Sequence, residues 1–184
     1  MFQINWKLKA FLYKVFQFLK LKKTFYFIQK YITRRSRVNI HEINPHWKRH
    51  ETSIKNNGCK NLLEIGAGKS LEQNIYFSYV FNCQLDQTAI DINKMIDFQL
   101  FNEASRQISN LLNLKFKGNV FNQEDISDQY NIKYLAPYKI EDLNGKKFDI
   151  CVSTTTLEHF TFNDLKNFLN NVKKNLNLNG LVSS

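Results

Sequence analysis

Leu62-Leu63-Glu64-Ile65-Gly66-Ala67-Gly68-Lys69-Ser70 is a short apolar run that passes into two closely spaced glycines and a small polar residue. Residues 61–65 predict a buried strand and the glycines a tight turn. Residues 70–81 predict a helix with Ser70 as N-cap and Gln73 three residues on. Glycine permits a sharp bend and lets a ligand approach the backbone with no Cβ in the way. Several chemistries use such a strand–turn–helix unit. A phosphate-gripping loop needs a glycine five residues before Gly68, and Leu63 stands there. A dinucleotide site needs a third glycine where this chain has Leu71, and Glu64 would repel the pyrophosphate. A carboxylate at the strand end suits a ligand that carries positive charge.

Working outward, short apolar runs alternate with longer amphipathic ones. Residues 47–56 predict a helix closed by Asn57-Gly58. Strands are expected over 88–92, 131–135 and 148–153, and helices over 94–114 and 162–176. A last strand begins at Leu181. This alternation predicts an α/β fold with a doubly wound, mostly parallel sheet, whose ligands bind at the carboxyl ends of the strands.

The charge is distributed unevenly. Lys7, Lys9, Lys14, Lys20, Lys22, Lys23, Lys30, Arg34, Arg35 and Arg37 precede the first acid, Glu42, and account for the whole formal charge of +10. Residues 1–40 thus form a basic arm and residues 41–184 a neutral body. Leu8, Phe11, Leu12, Val15, Phe18 and Leu19 share one helical face, with Lys7, Lys9, Lys14 and Lys20 off it. The pattern breaks at residues 22–24 and resumes over 25–32. Such an amphipathic arm fits either its own domain or an anionic membrane surface, where each Lys or Arg adds roughly 1 kcal/mol. No uncharged run reaches the length of a membrane span or signal peptide, so the expectation is a cytoplasmic body, peripheral at the inner membrane face. Cys59, Cys83 and Cys151 lack any C-x-x-C pairing and read as buried, reduced thiols.

The glycine turn, an acid followed by hydrophobic-Gly-x-Gly, resembles motif I of class I S-adenosylmethionine (SAM)-dependent methyltransferases, with Ser70 where the family often has another glycine. The resemblance spans roughly residues 47–180. Ala89-Ile90-Asp91-Ile92 resembles the end of the family's second strand, where an acid accepts both ribose hydroxyls; Asp86 competes for that role but is expected to precede the strand. Residues 133–143 resemble the third strand and adenine-side loop, with Lys139 where many relatives have an acid. Either Glu141 or Asp142 then takes that role, or apolar and backbone contacts hold the adenine. Residues 148–160 resemble the fourth strand, with Leu157-Glu158-His159 matching the Leu-Glu-His turn of small-molecule methyltransferases. Residues 175–180 resemble the turn into the fifth strand.

The resemblance implies SAM as cofactor, held by Glu64, Gly66, Ala67, Gly68, Asp91, Ile92, Glu141 and Ser153. It implies methyl transfer to a small molecule or sugar-containing intermediate, with His159 and Glu158 as catalytic residues. The plainer alternative for that pair is that Glu158 caps the following helix and His159 packs. Some relatives hold a metal through Glu-x-x-Glu-His, but Thr155 stands at the first position, so no metal is expected. Beside the resemblance the chain reads as truncated at the C-terminus, since the family sheet has further strands. A non-catalytic remnant acting as a membrane-associated or interaction module is therefore the rival reading. No nucleic acid is expected, because no basic stripe lies near the cofactor motifs.

Overall fold

The computed structural model describes residues 38–143, 145–154, 156, 157 and 160–183, without the side chains of Ile140, Glu141 and Asp164. The chain divides into two units, Met1–Arg37 and Val38–Ser184. The amphipathic helices expected in the first unit lie outside the described residues.

The second unit runs α1 (Pro45–Asn57), β1 (Asn61–Ile65), α2 (Glu72–Val80), β2 (Asp86–Ile90), α3 (Phe98–Leu111), α4 (Gln123–Tyr130) and β3 (Ile132–Leu135). A short 3-10 turn (Ile140–Leu143), β4 (Phe148–Val152), α5 (Phe162–Asn175) and β5 (Leu176–Ser183) follow. The five strands pair in parallel in the order β3-β2-β1-β4-β5. This is the doubly wound α/β sheet that the alternation predicts.

Side-chain alternation along β1 divides the core. Leu62 packs with Trp47, Ile54, Ile75, Phe77, Phe101 and Ile126, so α1 to α4 cover that face. Leu63 and Ile65 pack with Leu143, Phe168 and Val172, so the 3-10 turn and α5 cover the other. Glu64 has the parity of Leu62 and points toward α2. Phe101 and Tyr130 meet edge to face at 4.9 Å, a pairing worth about 0.5–1.5 kcal/mol beyond its buried area.

Several boundaries depart from the sequence reading. Helix α1 starts earlier because Asn44 caps it, accepting from His46 N at 2.8 Å, and Pro45 occupies its first position. It ends at Gly58, in a left-handed conformation, as expected. Ser70 does not cap α2: its hydroxyl donates to Glu72 Oε1 at 2.8 Å. Leu71, left-handed at φ 51°, stands at the N-cap with no side-chain cap bond. Strand β2 begins at Asp86, so Asp86 lies inside it while Asp91 and Ile92 lie past its end. Helix α3 waits for Asp97, whose carboxylate accepts from Gln99 N and Leu100 N.

Helix α4 has no counterpart in the sequence reading. A reciprocal cap between Asn122 and Asp125 starts it, and Ile126 and Tyr130 anchor it four residues apart. Strand β5 starts at Leu176, and its register against β4 shifts between Phe148↔Leu176 and Ile150↔Leu181. The irregular stretch is the polar Asn177-Leu178-Asn179-Gly180, which carries little strand pattern. Cys151 is buried, whereas Cys59 and Cys83 are only half-buried; all three are free thiols. No described helix is long and apolar enough to cross a membrane.

Candidate functional site

Strands β1 and β4 are neighbours although two strands separate them in sequence, so the winding reverses between them. In open α/β sheets this reversal leaves a crevice at the carboxyl ends of the strands. Glu64, at the end of β1, is buried, and its Oε2 has no hydrogen-bond partner among the described residues. Burial and the neighbouring Asp91 carboxylate push the Glu64 carboxyl up to about 8, with the Asn74 and Gln73 amides of α2 pulling the other way. Asp91, just past β2, is also buried, which pushes its carboxyl up to about 6; the Tyr134 hydroxyl and the Gly68 N–H offset part of this.

Backbone hydrogen bonds fix these positions. Gly66 N donates to Ile90 O at 2.9 Å and Asp91 N to Leu135 O at 3.1 Å, continuing the ladder past the strand ends. Tyr138 N donates to Asp91 O at 2.9 Å, folding the loop after β3 against Asp91. Tyr134, on β3, donates its hydroxyl to Asp91 Oδ2 at 3.2 Å and accepts from Met95 N at 3.2 Å. Asp97 N donates to Lys69 O at 2.9 Å, tying the glycine turn to the start of α3.

The two glycines answer different needs. Both have φ 76°, where a side chain costs about 1–2 kcal/mol. At Gly68 an added Cβ would meet nothing within 4 Å, so the backbone is open to approach. At Gly66 it would fall 2.2 Å from Thr156 Oγ1 and 2.9 Å from Thr156 Cβ. The loop after β4 therefore lies directly on Gly66, and the missing side chain there makes room for the protein's own Thr156.

On the β4 side, Ser153 N donates to Ser183 O at 3.1 Å and Ser153 Oγ to Ile65 O at 3.3 Å, joining β5, β4 and β1 at one level. Thr154 Oγ1 donates to Gln73 Oε1 at 2.8 Å and lies 3.4 Å from His50 Nε2. His50 Nδ1 is 2.7 Å from Ser183 Oγ.

No protein-family model and no curated protein sequence matches the chain. Among solved structures it is similar to TehB from Haemophilus influenzae, at 21% identity and a TM-score of 0.48 over 84% of this chain and 42% of that one. It is also similar to the methyltransferase domain of bacterial CtHen1-CN, at 16% identity and a TM-score of 0.41 over 68% of this chain and 56% of that one. The chain thus spans about half the length of these structures. The fold itself is decided by the chain's own strand order and its turn after β1. It is a Rossmann-like, doubly wound α/β fold.

Within that fold, Glu64, Gly66, Ala67, Gly68, Asp91 and Ser153 come together around the ends of β1, β2 and β4. Ser153 spends its hydroxyl on the β1 backbone, and Ala67 packs partly against the core. Ile92 follows Asp91 with its side chain 68% exposed. Asp142 accepts from Lys139 N at 3.0 Å within its own turn. The side chain of Glu141, and all of Thr155, Glu158 and His159, lie outside the described residues. Sequence reasoning missed Gln73, Asn74 and Tyr134, which neighbour the two acids, and Thr154 and His50, which connect to them through Gln73. One signal was available: Gln73-Asn74 falls between Leu71 and the apolar run Ile75-Tyr76-Phe77, all buried in α2 or at its start.

Proposed function

We propose that the chain is a SAM-dependent methyltransferase that binds its cofactor across the ends of β1 and β2. The observation that carries this is Glu64: a buried carboxyl with an unpaired oxygen, raised by burial and then by a second buried acid, Asp91. Leaving such a group without a partner costs about 1–3 kcal/mol or more, and a cationic ligand recovers it. An anion would meet the Asp91 carboxylate and oppose ionisation of Glu64. SAM supplies a methyl group made electrophilic by its sulfonium. Glu64 and the turn Gly66-Ala67-Gly68 hold the ammonium of its amino-acid end, and Asp91 accepts from its ribose hydroxyls. Ile92 and Glu141 flank the nucleoside, and Ser153 fixes the β1–β4 spacing.

The acceptor is a small molecule or a sugar-containing intermediate, with His159 as general base and Glu158 beside it. The chain's own work is to hold the acceptor against the methyl group and exclude water, from which much of the acceleration in such a transfer comes. Calorimetric titration of SAM tests the cofactor. Micromolar binding by the wild-type chain, reduced at least tenfold in Glu64→Ala and in Asp91→Ala, is the expected result. A folded chain that does not bind SAM refutes the reading.

The ten basic charges before Glu42, set among Phe, Trp and Leu, support a further proposal, that the enzyme works peripherally at an anionic membrane surface on the cytoplasmic side. Flotation with vesicles containing phosphatidylglycerol is expected to carry the full chain at low salt and less of it at high salt. Equal recovery with neutral phosphatidylcholine vesicles removes the electrostatic part of the proposal.

A further inference from the structure

One buried titratable group takes no part in the function just proposed. His50, on α1, is 1% exposed and connects three other elements. Ser183 Oγ, at the end of β5, lies 2.7 Å from its Nδ1, and Thr154 Oγ1, just past β4, lies 3.4 Å from its Nε2. Thr154 Oγ1 in turn lies 2.8 Å from Gln73 Oε1, on α2.

Proton counting gives this chain a direction. An amide oxygen only accepts, so Thr154 gives its single proton to Gln73. The Thr154 oxygen is then left to accept, which puts a proton on His50 Nε2. A neutral imidazole has one N–H, so Nδ1 accepts from Ser183. Burial holds His50 neutral near pH 7 by pushing its pKa down to about 4, and the neighbouring His46 and Arg49 act in the same direction. The chain ends at Gln73 Nε2, a buried donor with no partner among the described residues. It lies beside Glu64, whose Oε2 is a buried acceptor in the same condition. Once Glu64 is ionised, as a cationic ligand makes it, reversing every bond would turn the Gln73 carbonyl onto a carboxylate, opposing two acceptors.

We propose that His50 is a positioning residue: it fixes the Thr154 hydroxyl so that the Gln73 carboxamide turns its NH2 toward Glu64. An unpaired donor and an unpaired acceptor then stand together, matching the carboxylate and the ammonium of a bound α-amino acid group. The orientation stands on the hydrogen bonds alone; its use for the amino-acid end of SAM rests on the proposed function.

The test joins nuclear magnetic resonance with calorimetry on the full chain. Long-range 15N–1H correlation is expected to find the His50 proton on Nε2. Thr154→Val and His50→Leu are expected to shift the Gln73 side-chain NH2 signals and to weaken SAM binding about tenfold, the loss of one buried hydrogen-bond partner. Thr154→Ser and His50→Gln, which keep the hydroxyl and an N–H donor, are expected to restore both. Thr154→Val keeps the shape of the side chain and guards against a His50→Leu chain that does not fold. A proton on Nδ1, Gln73 signals unmoved by Thr154→Val, or a Thr154→Ser loss equal to that of Thr154→Val overturns the proposal. Absence of SAM binding by the wild-type chain refutes the proposed function alone, since the His50 tautomer and the Gln73 response still decide the orientation.

Discussion

At the scale of single residues, the two acids of the crevice carry a measurable cost. The Glu64 carboxyl titrates near 4.5 when exposed and at about 8 in the folded chain. Between those values the folded state keeps a proton that the unfolded state has released, so stability falls as pH rises, and above about 8 the loss is complete. Glu64→Gln is expected to flatten this slope, read as urea midpoints between pH 5 and pH 8. A cationic ligand works in the opposite sense by favouring the ionised form. SAM binding at pH 7 is therefore expected to expel about one proton, seen by calorimetry in buffers of different ionisation enthalpy. Equal proton release by wild type and Glu64→Gln would assign the proton to another group. Glu64 and Asp91 were legible in the sequence because acids at two strand ends stand out against apolar runs. Gln73, Tyr134, Thr154 and His50 were not, because each matters only through partners that other segments supply.

At the scale of elements, the glycine turn illustrates how two glycines of one turn can answer different needs. Its two glycines share one backbone angle but not one environment. Gly68→Ala is expected to cost only the strain of a left-handed alanine, about 1–2 kcal/mol. Gly66→Ala adds the collision with Thr156, and forcing extra atoms into a packed site costs typically about 1–3 kcal/mol more. Gly66→Ala is thus expected to melt below Gly68→Ala. Thr156→Gly should return the Gly66→Ala chain toward the Gly68→Ala value while doing nothing for Gly68→Ala itself; a failure to discriminate would mean that Thr156 does not constrain the turn. Strands β1 and β4 were legible within a residue or two because mostly apolar runs mark strands buried on both faces, and β3 because Ile132 and Tyr134 alternate with the exposed Lys133 at the sheet edge. The start of α2 was not, because a buried Leu71 takes the cap position that Ser70 advertises. Helix α4 was missed because Ile126 and Tyr130 are its only buried residues, too few to make a visible stripe.

At the scale of the molecule, strands β1, β4 and β5, which meet at the crevice, are also tied together at their opposite ends. Asp149, near the start of β4, accepts from Lys60 N and Asn61 N, each at 2.8 Å, through Oδ2. Its Oδ1 accepts from Asn177 Nδ2 on β5 at 2.6 Å. One carboxylate thus pins three neighbouring strands at the end of the sheet away from Glu64 and Asp91. Partial burial would raise its pKa, but the Lys60 and Asn61 amides, with Asn177, outweigh this and hold the carboxyl below its ordinary value. A depressed carboxyl stabilises the fold above the unfolded pKa of about 3.9 and loses that contribution as pH falls through the folded value. Asp149→Ala is expected to destabilise the chain by about 2 kcal/mol at pH 7, the scale of charge-assisted hydrogen bonds, and to reduce its sensitivity to acid below about pH 4. The folded fraction of that variant should bind SAM with nearly the wild-type affinity, because no residue of the crevice is touched. Denaturant unfolding at pH 7 and pH 3.5, paired with calorimetry at a temperature where the variant is folded, separates the two effects. A large fall in affinity at full folding would show that Asp149 sets the geometry of the crevice as well as the stability of the sheet.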